Sequence, residues 1–317
     1  MFSIPWGRLW DTTSVIKRER LGAALLALLL SGLVGTAGPA HATERSAASL
    51  VDAELCESLP FCTPSFWSWE LALATYENRE SDARVIAQQL MSLQKKNGRW
   101  GLGSPWGKTA VDFKQRTRHD AESWEVAEVG LNLLRHHQKF DDPAAKRAAR
   151  NAASYLRQRV VSLGTGRYLA HMPDCNNYLQ PHSTLASAAL LDQFKRYREI
   201  ASQLKDSGKK MKWRRIVPKV GRTDLQKWRW GPRINDYERI QSGWYLTELG
   251  DARGPRILNR FGPEREMDFR LAQPYAVMVD LFLGNGQQAR ARAEKTNLEL
   301  SKGFDVALAS WVQTGLR

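Results

Sequence analysis

Residues 176 to 183, Asn-Asn-Tyr-Leu-Gln-Pro-His-Ser, combine side chains that could move protons with side chains that could bind an anion. They precede and enter a predicted helix, whose first backbone N–H groups favour a negative ligand. Cleavage of a uronate polymer by β-elimination needs a neutraliser of the sugar carboxylate, a base for the C5 proton and an acid for the leaving oxygen. Asn177 could neutralise, and Tyr178 and His182 are the base and acid candidates. The alternative is that the asparagines cap the helix and His182 is a satisfied buried side chain.

A second cluster of reactive side chains lies between Arg118 and Glu125. Two carboxylates roughly 6.5–9.5 Å apart can act as acid and base in an inverting glycoside hydrolase. Glu122 and Glu125 are three residues apart and therefore share a helical face, whereas Asp120 and Glu122 do not. The alternative is that Asp120 caps the helix and that both glutamates interact with the helix dipole.

A third cluster interleaves tryptophan with arginine, in Trp213-Arg214-Arg215 and Lys227-Trp228-Arg229-Trp230. Aromatic faces stack on sugar rings, and arginine binds carboxylate, sulfate or phosphate. We therefore expect Trp213, Arg229 and Trp230, together with Arg118, to contact the substrate. The alternative is that the tryptophans pack a long loop onto the core while the cations extend into solvent.

Positive charge is concentrated in one part of the chain. The net charge is +14, and residues 195 to 230 contain thirteen Lys or Arg against three acids. Such a surface attracts polyanions and is screened by salt. The partner we expect is an anionic glycan or an envelope surface, with nucleic acid less favoured; a solvated basic loop is the alternative.

We expect neither a metal nor a cofactor, because the sequence has no HExxH, paired CxxC, phosphate-binding glycine loop or GxSxG.

The first 42 residues have the organisation of a signal peptide. A basic start is followed by an apolar stretch, residues 21 to 35, and by the small-x-small sequence Ala40-His41-Ala42. We predict export to the periplasm or the medium and a single domain over residues 43–317, with no membrane span after cleavage; a retained anchor is the alternative.

In an oxidising compartment Cys56 and Cys62 could form a disulfide, which leaves Cys175 unpaired, although all three could be buried thiols.

Hydrophobic periodicity predicts helices throughout the rest of the chain and no convincing strands. The predicted helices cover residues 65–78, 80–96, 143–161, 183–204, 235–249, 269–283, 287–301 and 304–313, and a further helix opens at 119–122 with its buried stripe from Trp124 to Leu134. Long loops separate them at 100–118, 168–180 and 211–232, and a basic loop at 206–232 is expected to be the least ordered part. Paired helices bury their apolar faces by stacking, and the unequal loops favour an all-α ring, complete or incomplete, over a regular solenoid.

The motif QxxxGxW, from Gln94 to Trp100, closes the second predicted helix, and Gly166-Arg167-Tyr168 takes the places of its last three residues after the fourth. It resembles the QW motif of triterpene cyclases. Over residues 62 to 200 the wider pattern is similar to the α/α-toroid domains of polysaccharide lyases and glycoside hydrolases. The resemblance implies an α/α toroid with its long loops at one rim, in which the glutamine ties a helix end to the loop.

Two further details bear on the activity that the resemblance implies. The cyclases' acidic DxDD motif is absent, which argues against terpene cyclisation. Asn177-Tyr178 and Pro181 are similar to a His-Asn-Tyr segment of toroidal alginate lyases, but the chain lacks their upstream Asn-Asn-His.

The favoured interpretation is an exported protein that binds an anionic polysaccharide, with β-elimination as its expected chemistry. A non-catalytic scaffold of an envelope assembly and an inverting glycoside hydrolase remain alternatives.

Overall fold

A computed structural model of the chain describes residues 64–100, 122–164, 166–169, 179–211, 234–267 and 272–300. The predicted signal peptide and the proposed Cys56–Cys62 disulfide lie outside these ranges. Over the described residues the chain forms ten α-helices and one small β-hairpin. The elements are α1 (Pro64–Tyr76), α2 (Glu80–Ser92), α3 (Ser123–Phe140), α4 (Pro143–Gln158), β1 (Val160–Leu163), β2 (Gly166–Leu169), α5 (Pro181–Asp192), α6 (Arg198–Lys210), α7 (Asp236–Glu248), α8 (Arg253–Leu258), α9 (Ala272–Phe282) and α10 (Gly286–Leu300).

The helices form five pairs, each joined by a short connection, and the two members of each pair pack against one another. The odd-numbered helices also pack on each other in chain order, α1 on α3, α3 on α5, α5 on α7 and α7 on α9. They therefore form an inner layer, and their even-numbered partners lie outside it. No helix of the described ranges is both long enough and apolar enough to cross a membrane.

The sequences of the two layers match their positions. Every residue of α5 from Pro181 to Leu191 is buried, as expected for a helix surrounded by others. The outer helix α4 is amphipathic instead, because its alanines and Leu156 face the core while its arginines face solvent. Small alanines also allow α4 to approach its neighbours closely.

The Gln94–Trp100 motif is a structural clamp between helices, as the resemblance implied. The Gln94 side-chain amide donates to the carbonyl of Gly98 at 3.0 Å and to that of Ala148 in α4 at 2.9 Å. The fully buried Trp100 donates its indole N–H to the Leu90 carbonyl at 2.7 Å. Gly98 has φ +92, and a Cβ there would lie 2.2 Å from the Asn151 carbonyl oxygen, so only glycine fits this approach.

The hairpin corrects two predictions. The fourth helix ends at Gln158 instead of Val161, and Val160–Leu163 pairs antiparallel with Gly166–Leu169. Gly166-Arg167-Tyr168 is thus a strand and not a second copy of the Gly98 turn. The β-branched Val160 and Val161 favour extended backbone, and Gly164 adopts φ +53 beside the turn.

Three further features of the helices differ from the prediction. The helix predicted for 183–204 is interrupted by a short 3-10 turn, Lys195–Tyr197, because Phe194 takes an extended conformation and is buried. The second part, α6, continues to Lys210, so the basic loop does not begin at residue 206. The short helix α8, with Gly254 and Pro255 in its first turn, was not predicted, since glycine and proline usually mark a break.

Candidate active site

The N-terminal turns of all five inner helices meet at one end of the ring, which we call the rim. The Trp124 ring of α3 lies 6.1 Å from that of Tyr237 in α7 and 6.2 Å from that of His182 in α5, between ring centroids. Tyr275 of α9 lies 5.2 Å from Tyr237 and 5.6 Å from Trp69 of α1. The long segments before α3, α5 and α7 lie outside the described residues, yet each leads into a helix that begins at this rim.

Glu122 and Glu125 lie at the rim end of α3. The helix begins at Ser123, so Glu122 is the N-cap and the predicted cap, Asp120, precedes it. The Glu125 carboxylate accepts from the Glu122 backbone N–H at 2.8 Å and from the Ser65 hydroxyl of α1 at 2.9 Å. The Glu122 carboxylate accepts from the Trp124 indole N–H. Both glutamates therefore do cap the helix, and both are buried, with 4% and 6% of their surface exposed.

Burial, together with the neighbouring charge of Glu122, raises the pKa of Glu125 to about 8. The hydrogen bonds from Glu122 N–H and Ser65 oppose the shift without cancelling it. Two adjacent carboxylates in a dry setting cannot both ionise easily. The pair therefore retains a proton at neutral pH, which is the condition a general acid must meet.

Glu128 lies one turn further along α3 and joins four inner helices. Its carboxylate accepts from the Trp69 indole at 2.8 Å, the Tyr275 hydroxyl at 2.8 Å and the Tyr245 hydroxyl at 3.0 Å. Burial raises the pKa of Glu128, while these three donors lower it. Burial also raises the pKa of Tyr237, Tyr245 and Tyr275 well above the usual value, so these phenols stay protonated. Glu128 therefore holds the inner helices together beneath the glutamate pair.

Asp236 is a rim carboxylate that sequence reasoning missed. It is the first residue of α7, is 3% exposed, and directly precedes the Tyr237 that contacts Trp124. Its oxygens lie 3.1 Å from the Arg239 guanidinium and 3.4 Å from that of Arg265. The available signal was its position, because Asp236 opens an inner helix after a long segment just as Glu122 does.

The structure gives His182 a buried place at the same rim. It is 2% exposed, lies beside the Trp124 ring, and has its Nε2 atom 3.5 Å from the Ser183 hydroxyl. It therefore adjoins the glutamate pair through Trp124. The other residues proposed for elimination or substrate binding lie outside the described ranges: Asn177, Tyr178, Arg118, Trp213, Arg229 and Trp230. Their roles stay predictions.

Metal-ligand residues do not cluster in the part of the chain that the structure describes. No three His, Cys, Asp or Glu side chains there are arranged so that they could hold an ion. The chemistry available at the described rim includes that of carboxylates, phenols, indoles, guanidinium groups, hydroxyls and the imidazole of His182.

Paired inner and outer helices, with the N-termini of the inner helices at one rim, define an all-α protein of the α/α-toroid class, which confirms the predicted fold. No protein-family model matches the chain, and no curated protein matches it significantly. Similarity of fold is instead found among solved structures.

Three glycan-cleaving enzymes have a similar fold. An endoglucanase of glycosyl hydrolase family 8 from Klebsiella pneumoniae has a TM-score of 0.53 and 14% identity, over 80% of this chain and 90% of its own. A family 8 endo-β-1,4-glucanase from an Achatina fulica gut metagenomic library has a TM-score of 0.53 and 14% identity, over 78% of this chain and 87% of its own. An α-amylase from Clostridium perfringens has a TM-score of 0.52 and 9% identity, over 74% of this chain and 76% of its own. At these identities the likeness establishes the fold.

Proposed function

We propose that this protein is a glycoside hydrolase that cleaves a polysaccharide at the rim. The observation that carries the proposal is the presence of buried carboxylates on two inner helices at that rim. Glu122 and Glu125 open α3, and Asp236 opens α7. This favours the hydrolase alternative over β-elimination.

The glutamate pair suits the role of general acid. Because the pKa of Glu125 is about 8, the pair holds a proton at neutral pH. In an inverting mechanism the acid gives this proton to the glycosidic oxygen while the bond from that oxygen to the anomeric carbon breaks. Glu122, at the very start of α3, adjoins Glu125 through the capping box and is placed to share the proton.

Asp236 suits the role of general base. Such a base must be ionised and must accept a proton from the water whose oxygen attacks the anomeric carbon. The Asp236 carboxylate lies within ion-pair distance of the Arg239 and Arg265 guanidinium groups. The two inverting carboxylates must flank the sugar with room for that water. Residues on separate helices meet this requirement more readily than Glu122 and Glu125 on one turn.

A polysaccharide is the substrate class favoured by two observations. The enzymes of similar fold are named as endoglucanases and an α-amylase. The half-buried Trp124 at the rim, packed against Tyr237, offers an aromatic surface of the kind that stacks on sugar rings. The net charge of +14 keeps acidic polymers among those to test, and the predicted signal peptide would bring the protein to polymers outside the cytoplasm.

The test is a product assay on a panel of polymers: carboxymethylcellulose, mixed-linkage glucan, amylose, polygalacturonate and alginate. We expect new reducing ends with at least one polymer and no rise in absorbance near 235 nm, where the unsaturated product of β-elimination absorbs. A rise at that wavelength would support the lyase hypothesis instead. No product with any of these polymers would favour the non-catalytic scaffold.

The variants that assign the roles are Glu122→Gln, Glu125→Gln and Asp236→Asn. Loss of an acid or base lowers the rate by about 10²–10⁴-fold. A matched control is Glu248→Gln, which changes a carboxylate of α7 at the end away from the rim. The control should keep nearly the full rate, and equal losses in all four variants would indicate damage to the fold instead of to the site.

A further inference from the structure

The outer wall of the ring carries a cluster of exposed cations that the rim chemistry does not use. Helix α4 contains four Lys or Arg and no Asp or Glu. The segment before and at the start of α6 adds three more. We define the basic face by its members, which are Lys146, Arg147, Arg150, Arg157, Lys195, Arg196 and Arg198, all exposed.

Contacts between side chains join the two parts of this face. The Ser154 hydroxyl of α4 lies 2.8 Å from the Tyr197 hydroxyl and accepts from the Arg196 guanidinium at 3.0 Å. Arg196 also lies over the Tyr197 ring, 4.5 Å from its centroid. The 3-10 turn is therefore fixed against α4, and the basic face is one continuous surface.

These cations have no carboxylate partners within the described residues. None of the seven forms an ion pair there, and the acids next to them along the chain are the exposed Asp141 and Glu199 and the half-buried Asp142 and Asp192. Elsewhere on the surface, Arg79, Arg84 and Lys209 each pair with at least one carboxylate. The basic face thus keeps an uncompensated positive field, which attracts anionic partners.

We propose that the basic face binds an acidic polysaccharide at a site separate from the rim. Arg147, Arg150 and Arg157 share one side of α4 and extend over about 15 Å of helix. An extended polymer with repeated carboxylates can contact several of them at once. Five of the seven cations are arginines, whose planar guanidinium groups match carboxylates in a bidentate manner.

The composition of the face favours a polysaccharide over a membrane. A helix that lies on a lipid surface normally adds large apolar side chains to its cations. The large hydrophobic residues exposed in the described ranges are Tyr76 and Val85, which belong to α1 and α2. The choice of a polysaccharide over other polyanions rests on the proposed function.

The test measures binding of the full chain to immobilised polygalacturonate at low salt. The variant Arg147→Gln/Arg150→Gln/Arg157→Gln is compared with Arg256→Gln/Arg260→Gln/Arg290→Gln. The latter removes the same charge from exposed positions on α8, the turn after it and α10. We expect the first variant to bind about tenfold more weakly, the second to change less than about twofold, and salt to weaken wild-type binding.

Equal losses in the two variants would overturn the proposal, because net charge alone would then explain binding. Unchanged binding of the first variant would also overturn it. So would tighter, arginine-dependent binding to anionic phospholipid vesicles or to DNA than to polygalacturonate. Binding in Glu122→Gln should equal that of the wild type, which separates this site from the rim. Arginine-dependent binding by a wild-type chain that hydrolyses none of the polymers would support the basic face while the proposed function fails.

Discussion

Glu122, Glu125 and Glu128 occur at intervals of three residues, so their side chains follow one side of α3 from the rim into the core. Burying one carboxylate is costly unless it is hydrogen-bonded, and here each is. The remaining cost is visible in the raised pKa of Glu125 and Glu128, for which burial is the largest cause. We expect this stripe to affect both stability and catalysis.

The raised pKa of Glu125 makes stability depend on pH. The folded protein keeps the Glu125 proton up to about pH 8, whereas the unfolded chain loses it near the ordinary value of 4.5. The contribution of this group to the free energy of unfolding is therefore fully present below 4.5 and is lost as the pH rises through about 8. We expect Tm to fall by about 5 °C more in the wild type than in Glu125→Gln between about pH 5 and pH 8. Thermal unfolding followed by circular dichroism would measure this, and parallel Tm profiles for the two proteins would contradict it.

Glu128 should matter more for stability than a carboxylate with one partner. Glu128→Ala leaves the Trp69, Tyr245 and Tyr275 donors without their shared acceptor, which should cost about 3 kcal/mol or more. The control is Glu248→Ala, which breaks one partly exposed ion pair with Arg135 and should cost about 1 kcal/mol or less. Urea unfolding of both variants would measure the difference. Equal costs would show that the Glu128 junction does not hold the inner helices together.

At the scale of elements, the Gln94–Trp100 clamp fixes how α2 and α4 meet. Gln94 bonds to both the turn and α4, and the Trp100 indole returns to α2. The backbone of Gly98 lies directly against that of Asn151. A backbone contact cannot be relieved by a change of rotamer, so a larger residue would have to move a helix.

Gly98→Ala should therefore destabilise the protein strongly. The added Cβ would lie 2.2 Å from the Asn151 carbonyl oxygen at a residue with φ +92. We expect a cost of about 3 kcal/mol, from backbone strain and displacement of α4. The control is Gly164→Ala, which has φ +53 and nothing within 4 Å of the new Cβ and should cost only about 1 kcal/mol. Denaturant unfolding would measure both costs, and a smaller loss for Gly98→Ala than for Gly164→Ala would contradict the clamp.

Local patterns were sufficient to predict most helices, because amphipathic spacing and Asn, Asp and Pro at helix starts carry local information. Asp142 illustrates this, since it caps α4 at the predicted position by accepting from the backbone of Ala144 and Ala145. The hairpin and the break at Phe194 were missed because burial against distant residues decides them. Asp236 was missed for the same reason: only the ring brings the start of α7 to the start of α3.

At the scale of the whole molecule, the ring places five helix N-termini at one rim. A helix N-terminus carries a partial positive charge that stabilises nearby anions. This effect helps the rim to hold Glu122 and Asp236, which open α3 and α7. The basic face lies on the outer wall, on α4 and the start of α6, so we expect polymer binding there and cleavage at the rim to be separable.

The most direct test of the central claim is chemical rescue of Asp236→Asn on the polymer that the product assay identifies. If Asp236 is the base, the variant should lose about 10²-fold or more in hydrolysis, because asparagine cannot take a proton from water. Azide needs no base, so its addition should restore cleavage and yield a glycosyl azide detectable by mass spectrometry. A variant that keeps more than about a tenth of the wild-type rate, or one that folds normally and is not rescued, would contradict the assignment of catalysis to this rim.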